Sequence, residues 1–237
     1  MGWRRVLTSA LIIEEELLGN LETIAEKICA SFEAKNRVRD ETLQLSRELI
    51  RHCAKAIRAT HRGEFEQAAE LLATAKALAS TMVERVADYA DLYYAGYTQD
   101  ALKEFAEANI TYALITDRPL PDPDELGVEY AAYLNGLGET TGELRRHVLD
   151  LIRHGELERG EEILALMDDI YGVLITIDLP EAVTGGLRHT TDMVRGVLER
   201  TRGDLTLSLQ QEKLQQALRD FEKRVNSEGP RPGHPGQ

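Results

Sequence analysis

From about residue 20 to residue 61 apolar positions recur every three or four residues, with Leu45, Leu49, Cys53, Ala56 and Ile57 along one side. That period predicts an amphipathic α-helix over the whole stretch. Gly63 stops it. The same periodicity predicts a second helix over about 64–94, a turn at Tyr93-Tyr94-Ala95-Gly96-Tyr97 and a third helix over about 98–117. The segment Arg118-Pro119-Leu120-Pro121-Asp122-Pro123-Asp124 reads as a loop, because each proline removes a backbone donor and obstructs a helical turn. Helices are predicted again over about 125–153 and about 157–175, on either side of Gly155. After a break at Leu179-Pro180, a last long helix or helix pair covers about 181–225.

Two turns resemble each other: His61-Arg62-Gly63-Glu64-Phe65-Glu66 and Arg153-His154-Gly155-Glu156-Leu157-Glu158. In each, Gly suits the left-handed position after a helix end, and Glu suits the positive start of the next helix. They predict antiparallel hairpins. The fold class that follows is all-α, an antiparallel helical bundle of about six to seven helices. It is expected to form one domain over 1–226, with the Pro- and Gly-rich stretch 227–237 as a disordered tail.

Composition narrows the class. Among 237 residues only 5% are aromatic, which favours helix over sheet. No apolar run approaches the ~20 residues of a membrane span. Glu14-Glu15-Glu16 interrupts any signal-peptide core, so a cytoplasmic chain is expected. Cys29 and Cys53, without a CxxC pattern, imply no disulfide framework and read as small buried apolar residues. The net charge of −13 is unusual for a nucleic-acid binder. Either the partner is of another kind, or positive charge is concentrated on one surface.

Two pairs of glutamates carry the candidate chemistry. Glu104 and Glu107 stand three apart, and Glu139 and Glu143 four apart, so each pair shares a helix face. Ala108 to Thr116 carries no charge, and Leu102, Phe105, Ala106, Ile110 and Ala113 cover one side, so Glu104 and Glu107 border a helix apolar nearly all round. Ala131 to Gly138 is likewise uncharged, and Ala132, Asn135 and Gly136 share the face of Glu139 and Glu143, which Arg146 and His147 continue. Glycine inside a helix costs ~1 kcal/mol relative to alanine, which close approach of another backbone or of a ligand would offset. Buried carboxylates need partners or a metal. Oxygen-only ligands suit Mg²⁺ or Mn²⁺, which would activate water for phosphodiester cleavage. Glutamate pairs at helical spacing also occur on ordinary solvated surfaces, and the uncharged surroundings are what set these apart.

Arg47, Arg51, Lys55, Arg58 and Arg62 follow one another at steps of four or three and form a continuous basic stripe opposite the apolar side of the first helix. Phosphate neutralisation is the functional reading, and the solvated face of an amphipathic helix, with Asp40, Glu41 and Glu48 as ion-pair partners, is the plain one. A second basic cluster, Arg188, His189, Arg195, Arg200 and Arg202, is interleaved with Asp192, Glu199 and Asp204. No Glu-x-x-His motif of a ferritin-like di-metal bundle is present, nor a Walker loop, GxGxxG, HExxH or zinc spacing. The acidic run Glu158, Glu161, Glu162, Asp168 and Asp169 is loosely similar to the helices of all-α nucleotide pyrophosphohydrolases, and it equally suits a solvated face.

The motifs resemble those of the translin family, in particular its translin-associated factor X type and archaeal relatives, over most of residues 20–220. Glu104-Phe105-Ala106-Glu107-Ala108 is similar to the catalytic E-F-x-E-A segment, and the stretch from Tyr133 to Leu144 is similar to G-x-A-D-L-T-G-E-L. Pro180-Glu181-Ala182-Val183 to Leu187 resembles the start of the family's last long helix. The resemblance implies a seven-helix fold in hollow, typically octameric homo-oligomers that cleave single-stranded RNA with Mg²⁺. Single-stranded DNA is a further possible ligand. It implies Glu104, Glu107 and Glu139 as metal ligands and Glu143 as a fourth catalytic acid. Glu139 stands where the family pattern has Asp, which displaces the carboxylate by about one methylene. The expected function is a metal-dependent endoribonuclease, with a binding-only shell and a nucleotide pyrophosphohydrolase as the alternatives. An assembly that is acidic outside and basic within would reconcile the net charge with the stripe.

Overall fold

The computed structural model describes the backbone of residues 3–227 and the side chains of 19–226. The expected tail, 227–237, lies outside the described residues apart from the backbone of Ser227. The described residues form helices and no strand. Six helices are long: α1 (Trp3–His61), α2 (Phe65–Arg85), α4 (Gly96–Ile115), α6 (Tyr130–His154), α7 (Leu157–Ile175) and α9 (Leu187–Ser227). Three are single turns: α3 (Ala90–Tyr93), α5 (Pro123–Leu126) and α8 (Glu181–Thr184). Among the described residues no helix is long and apolar enough to cross a membrane.

The differences from the predicted elements have local causes. α1 begins at Trp3 instead of near residue 20. The second helix stops at Arg85, where Val86 and Ala87 bond back to Val83 and Glu84 and Val86 turns into the core. The Thr98 hydroxyl then donates to the Leu92 carbonyl and the Gln99 amide to that of Tyr93, which fixes the α3–α4 corner. Pro123 does not prevent a helix. It stands in the first turn, where its missing N–H costs nothing, and Asp122 and Glu125 form a capping box around it. Gly127, at φ 68°, ends that turn and delays α6 to Tyr130. Gly185 and Gly186, both at positive φ, separate α8 from α9.

α1 packs on α2 and α4, α4 on α6, and α6 on α7 and α9. The core runs through these contacts, with Leu49, Cys53, Leu102, Phe105, Ile110, Leu144, Val148, Ile163, Met167 and Val194 buried. The tight Gly63 and Gly155 turns join antiparallel pairs, α1–α2 and α6–α7. α4 and α6, joined by the longer connection 116–129, run the same way: Gly136 lies against Lys103, and four residues on Thr140 reaches the carbonyl of Glu107. A Cβ on Gly136 would lie 2.7 Å from the Lys103 carbonyl oxygen and 3.1 Å from the Glu107 nitrogen. Another backbone, not a ligand, is therefore what this glycine admits. The two cysteines differ: Cys53 is buried, whereas Cys29 is exposed, contrary to expectation, on the part of α1 that extends beyond the bundle.

Candidate metal centre

Because α4 and α6 meet backbone to backbone at Gly136, the side chains one turn further along project into one cleft. Glu104 and Glu107 come from α4 and Glu139 from α6, and one carboxylate oxygen of each lies within 4.8 Å of the others. The cleft encloses about 470 Å³ and is also lined by Ala54, Ile57 and Arg58 of α1, Glu143 and Arg146 of α6, and Met193 of α9.

The electrostatics differ sharply from one carboxylate to the next. Glu107 is only 9% exposed, and no donor reaches its carboxylate among the described residues. Burial, followed by the charges of Glu104, Glu139 and Glu143, pushes its pKa up to about 8. Glu104 is raised as well, first by burial and then by Glu139. Glu139 accepts a hydrogen bond of 2.8 Å from the Lys103 ammonium. Burial works to lower the Lys103 pKa, but the bond to Glu139 and that charge outweigh it and leave it raised.

Glu143 is held differently. The Nε2 of His61, at the last residue of α1, lies 2.5 Å from its Oε2, and the His61 side chain is 2% exposed. An ionised carboxylate only accepts, so Nε2 is the donor. This bond brings the Glu143 pKa below the ordinary carboxylate value against the opposing effect of burial. Arg146 stands 3.9 Å from the same oxygen.

The set fits a hard divalent cation. It is all oxygen, it comes from two rigid helices, and two of its members, Glu104 and Glu107, have no hydrogen-bond donor among the described residues to balance their charge. Among the described residues it is the one grouping of acidic, His or Cys side chains close enough to hold a metal. The residues Glu158, Glu161, Glu162, Asp168 and Asp169 are instead exposed along α7, with Glu162 paired to Arg159 and Asp168 to Arg202.

No family model matches the chain. It is 34% identical to an uncharacterized protein of Methanocaldococcus jannaschii over 191 residues, which is 78% of this chain and 82% of that protein. Among solved structures, AfC3PO in a complex with duplex RNA is 31% identical, with a TM-score of 0.67 over 77% of this chain and 95% of that one. The crystal structure of AfC3PO itself gives 0.71 at the same identity and coverage. The crystal structure of apo-NeC3PO, at 21% identity and TM-score 0.71 over 77% of this chain and 96% of that one, shares the fold. The chain belongs to the translin family.

The basic stripe of this translin-family chain is fully on the surface: Arg47, Arg51, Lys55, Arg58 and Arg62 are all exposed. Two of the three expected acidic partners are engaged elsewhere, since Asp40 pairs with Arg39 and Glu41 with Arg85. Arg62 pairs with Glu64. Arg58 reaches the rim of the carboxylate cleft, so stripe and cleft are continuous. The second basic cluster is dispersed, with Arg195 paired to Glu199 and Arg202 to Asp168.

Sequence reasoning missed Lys103 and His61. Lys103 is a neighbour of Glu104 in the chain, yet its partner is Glu139, on another helix. His61 looked like part of a turn, and its contact with Glu143 spans 82 positions. Only a charge imbalance at the glutamates, which demands some cation nearby, hints at either.

Proposed function

We propose that the chain is a divalent-metal-dependent endoribonuclease that cleaves single-stranded RNA within a hollow homo-oligomer. The observation that carries this reading is the convergence of Glu104, Glu107 and Glu139 within 4.8 Å, with no donor on two of them among the described residues. Bound Mg²⁺, or Mn²⁺, would supply Lewis-acid charge stabilisation and lower the pKa of water.

The chain's own groups have distinct parts in this reading. Glu104, Glu107 and Glu139 hold the ion, and Lys103 fixes the Glu139 carboxylate. Glu143, kept ionised by His61, is the carboxylate able to accept a proton from water in the cleft. Arg58 and Arg146 at the rim meet phosphate oxygens, and Arg47, Arg51, Lys55 and Arg62 carry the backbone towards the cleft. The solved complex of AfC3PO with duplex RNA supports RNA as the polymer. The single strand rests on the resemblance to the catalytic subunit type.

Assembly is supported by apolar side chains left exposed among the described residues. On α9, Leu207, Leu214, Leu218, Phe221 and Val225 are exposed at alternating steps of four and three, interrupted at Gln211, and on α1 Leu21, Ile24, Ile28 and Phe32 are exposed along one side. Such seams are buried between helices of partner chains. The octamer is the number implied by the family.

One observation favours a binding-only shell: Glu139 is already paired with Lys103, and Glu143 already has a donor in His61 and Arg146 beside it. Cleavage of a labelled single-stranded RNA with Mg²⁺ and with EDTA, by the wild type and by Glu107→Gln, separates the two readings. The expected result is metal-dependent cutting that falls by roughly a hundredfold or more in the variant while RNA binding persists. Wild-type protein that binds RNA and does not cut it in Mg²⁺ or Mn²⁺ would leave the shell as the function.

A further inference from the structure

A second cleft, of about 740 Å³, abuts the first and is bounded by the α3–α4 corner, α6 and the α8–α9 corner. Glu139 lines both clefts, and Lys103, whose ammonium donates to Glu139, opens onto the second. The second cleft carries charge as well, from Asp100, Glu129 and His189, but it adds a small apolar wall at Ala131 and Ala132 and exposed Tyr94 and Val183, each 65% accessible, at its edge.

Both the floor and the rim are held in place. Asn135 is buried, its amide donating to the carbonyls of Ala131 and Thr184 and its oxygen accepting from the Thr190 hydroxyl, so the floor needs no rearrangement to receive a ligand. The Tyr93 hydroxyl donates to Glu129, and the Tyr93 ring meets Tyr94 edge-to-face with centroids 4.9 Å apart. Tyr94 is thereby a braced aromatic surface facing solvent, with its ring free to meet a base. The volume lies within the ~300–1,000 Å³ range of small-molecule sites.

We infer that this second cleft receives the unpaired nucleoside next to the phosphate held at the carboxylate cleft, with its base against Tyr94. The inference rests on the proposed reading of the carboxylate cleft as a phosphodiester site. A strand with a phosphate at Glu139 carries a nucleoside directly on either side, and the cleft beyond Glu139 adjoins that point and offers apolar walls for a base. Only an unstacked base can enter it, because a paired base keeps its faces within the duplex. The cleft therefore selects single-stranded or locally opened RNA for cleavage, while the basic stripe holds either form by its phosphates.

The test separates nucleoside binding from cutting. Nucleosides, which carry no phosphate for the metal-free carboxylates to repel, are titrated in EDTA into the wild type, Tyr94→Ala, Val183→Trp and Glu107→Gln, followed by NMR, with the mass of each variant measured by light scattering. The expected result is saturable binding to the wild type and to Glu107→Gln, weakened roughly tenfold in Tyr94→Ala and in Val183→Trp, which fills the cleft. An abasic site beside the cleaved bond is expected to raise KM roughly tenfold for the wild type and to leave Tyr94→Ala unchanged. Absence of nucleoside binding, or equal binding by wild type and Tyr94→Ala, overturns the inference. A change of assembly mass in Val183→Trp overturns it too, since the cleft is then an interface between copies. Tyr94-dependent nucleoside binding by a protein that cuts no RNA supports the cleft while sinking the nuclease reading.

Discussion

At Glu107 the fold and the charge of one carboxylate are opposed. Its folded pKa, about 8, lies far above the ordinary carboxylate value of 4.5, with burial as the first cause and Glu104 as the next. The folded state therefore holds a proton that the unfolded chain gives up near 4.5, and without a cation stability falls as pH rises from there to about 8. A divalent cation must displace that proton, so below pH 8 its affinity is expected to climb up to about tenfold per pH unit. Thermal unfolding from about pH 5.5 to 8.5, with Mg²⁺ and with EDTA, checks both signs. In EDTA the wild type should lose stability with rising pH, in Mg²⁺ the rise in Tm should grow with pH, and Glu107→Gln should flatten both trends. Cys53, below the same cleft, has its thiol pushed up to about 12 by burial and then by Glu104 and Glu107, so it stays protonated and inert as a nucleophile.

The meeting of α4 and α6 depends on one missing side chain at the element scale. A Cβ at Gly136 would sit 2.7 Å from the Lys103 carbonyl, a backbone atom that moves only if the helices separate. Gly136→Ala is expected to destabilise the protein by ~1–3 kcal/mol, despite the gain of ~1 kcal/mol in helix propensity. It should also abolish stabilisation by Mg²⁺, because Glu139 moves away from Glu104 and Glu107. Gly142 on the same helix meets nothing, so Gly142→Ala is expected to stabilise by up to ~1 kcal/mol. Urea unfolding of the two variants decides the matter, and equal effects would mean that the close approach does not govern the site. Thr140 adds a polar link at the same crossing, donating to the Gly136 carbonyl at 2.9 Å.

At the scale of the whole molecule, a net charge of −13 coexists with an exposed basic stripe that leads into an acidic cleft. If the stripe neutralises RNA phosphates, Arg51→Ala with Lys55→Ala should weaken binding across sequences and reduce the salt slope by ~1.4 for a single strand. Fluorescence anisotropy at several salt concentrations measures it, and an unchanged slope would return the stripe to ordinary solvation. The exposed seam on α9 makes a separate prediction: Leu214→Glu with Leu218→Glu should lower the assembly mass in light scattering and leave the helical content unchanged. An unchanged mass would mean that another surface joins the subunits.

Local pattern was enough for most helix boundaries. Gly63, Gly155 and the Leu179-Pro180 break act through backbone conformation within a few residues, and helical periodicity marks which side of α1 is core. The pairing of Glu104 with Glu107 and of Glu139 with Glu143 on shared faces is likewise a property of a single helix. The capped turn at Pro123 was misread because a proline at a first turn and a proline in a loop look alike until the cap is seen. Tertiary structure alone decided that α4 and α6 run the same way, that Lys103 turns to Glu139, that His61 holds Glu143 across 82 positions, and that Glu107 meets no donor among the described residues. The sequence determined the helices, their apolar faces and the carboxylate spacings because these follow from bonds along the chain. The approach of the helices, and with it the charge state of each glutamate, came from contacts between residues far apart in sequence, which no local pattern encodes.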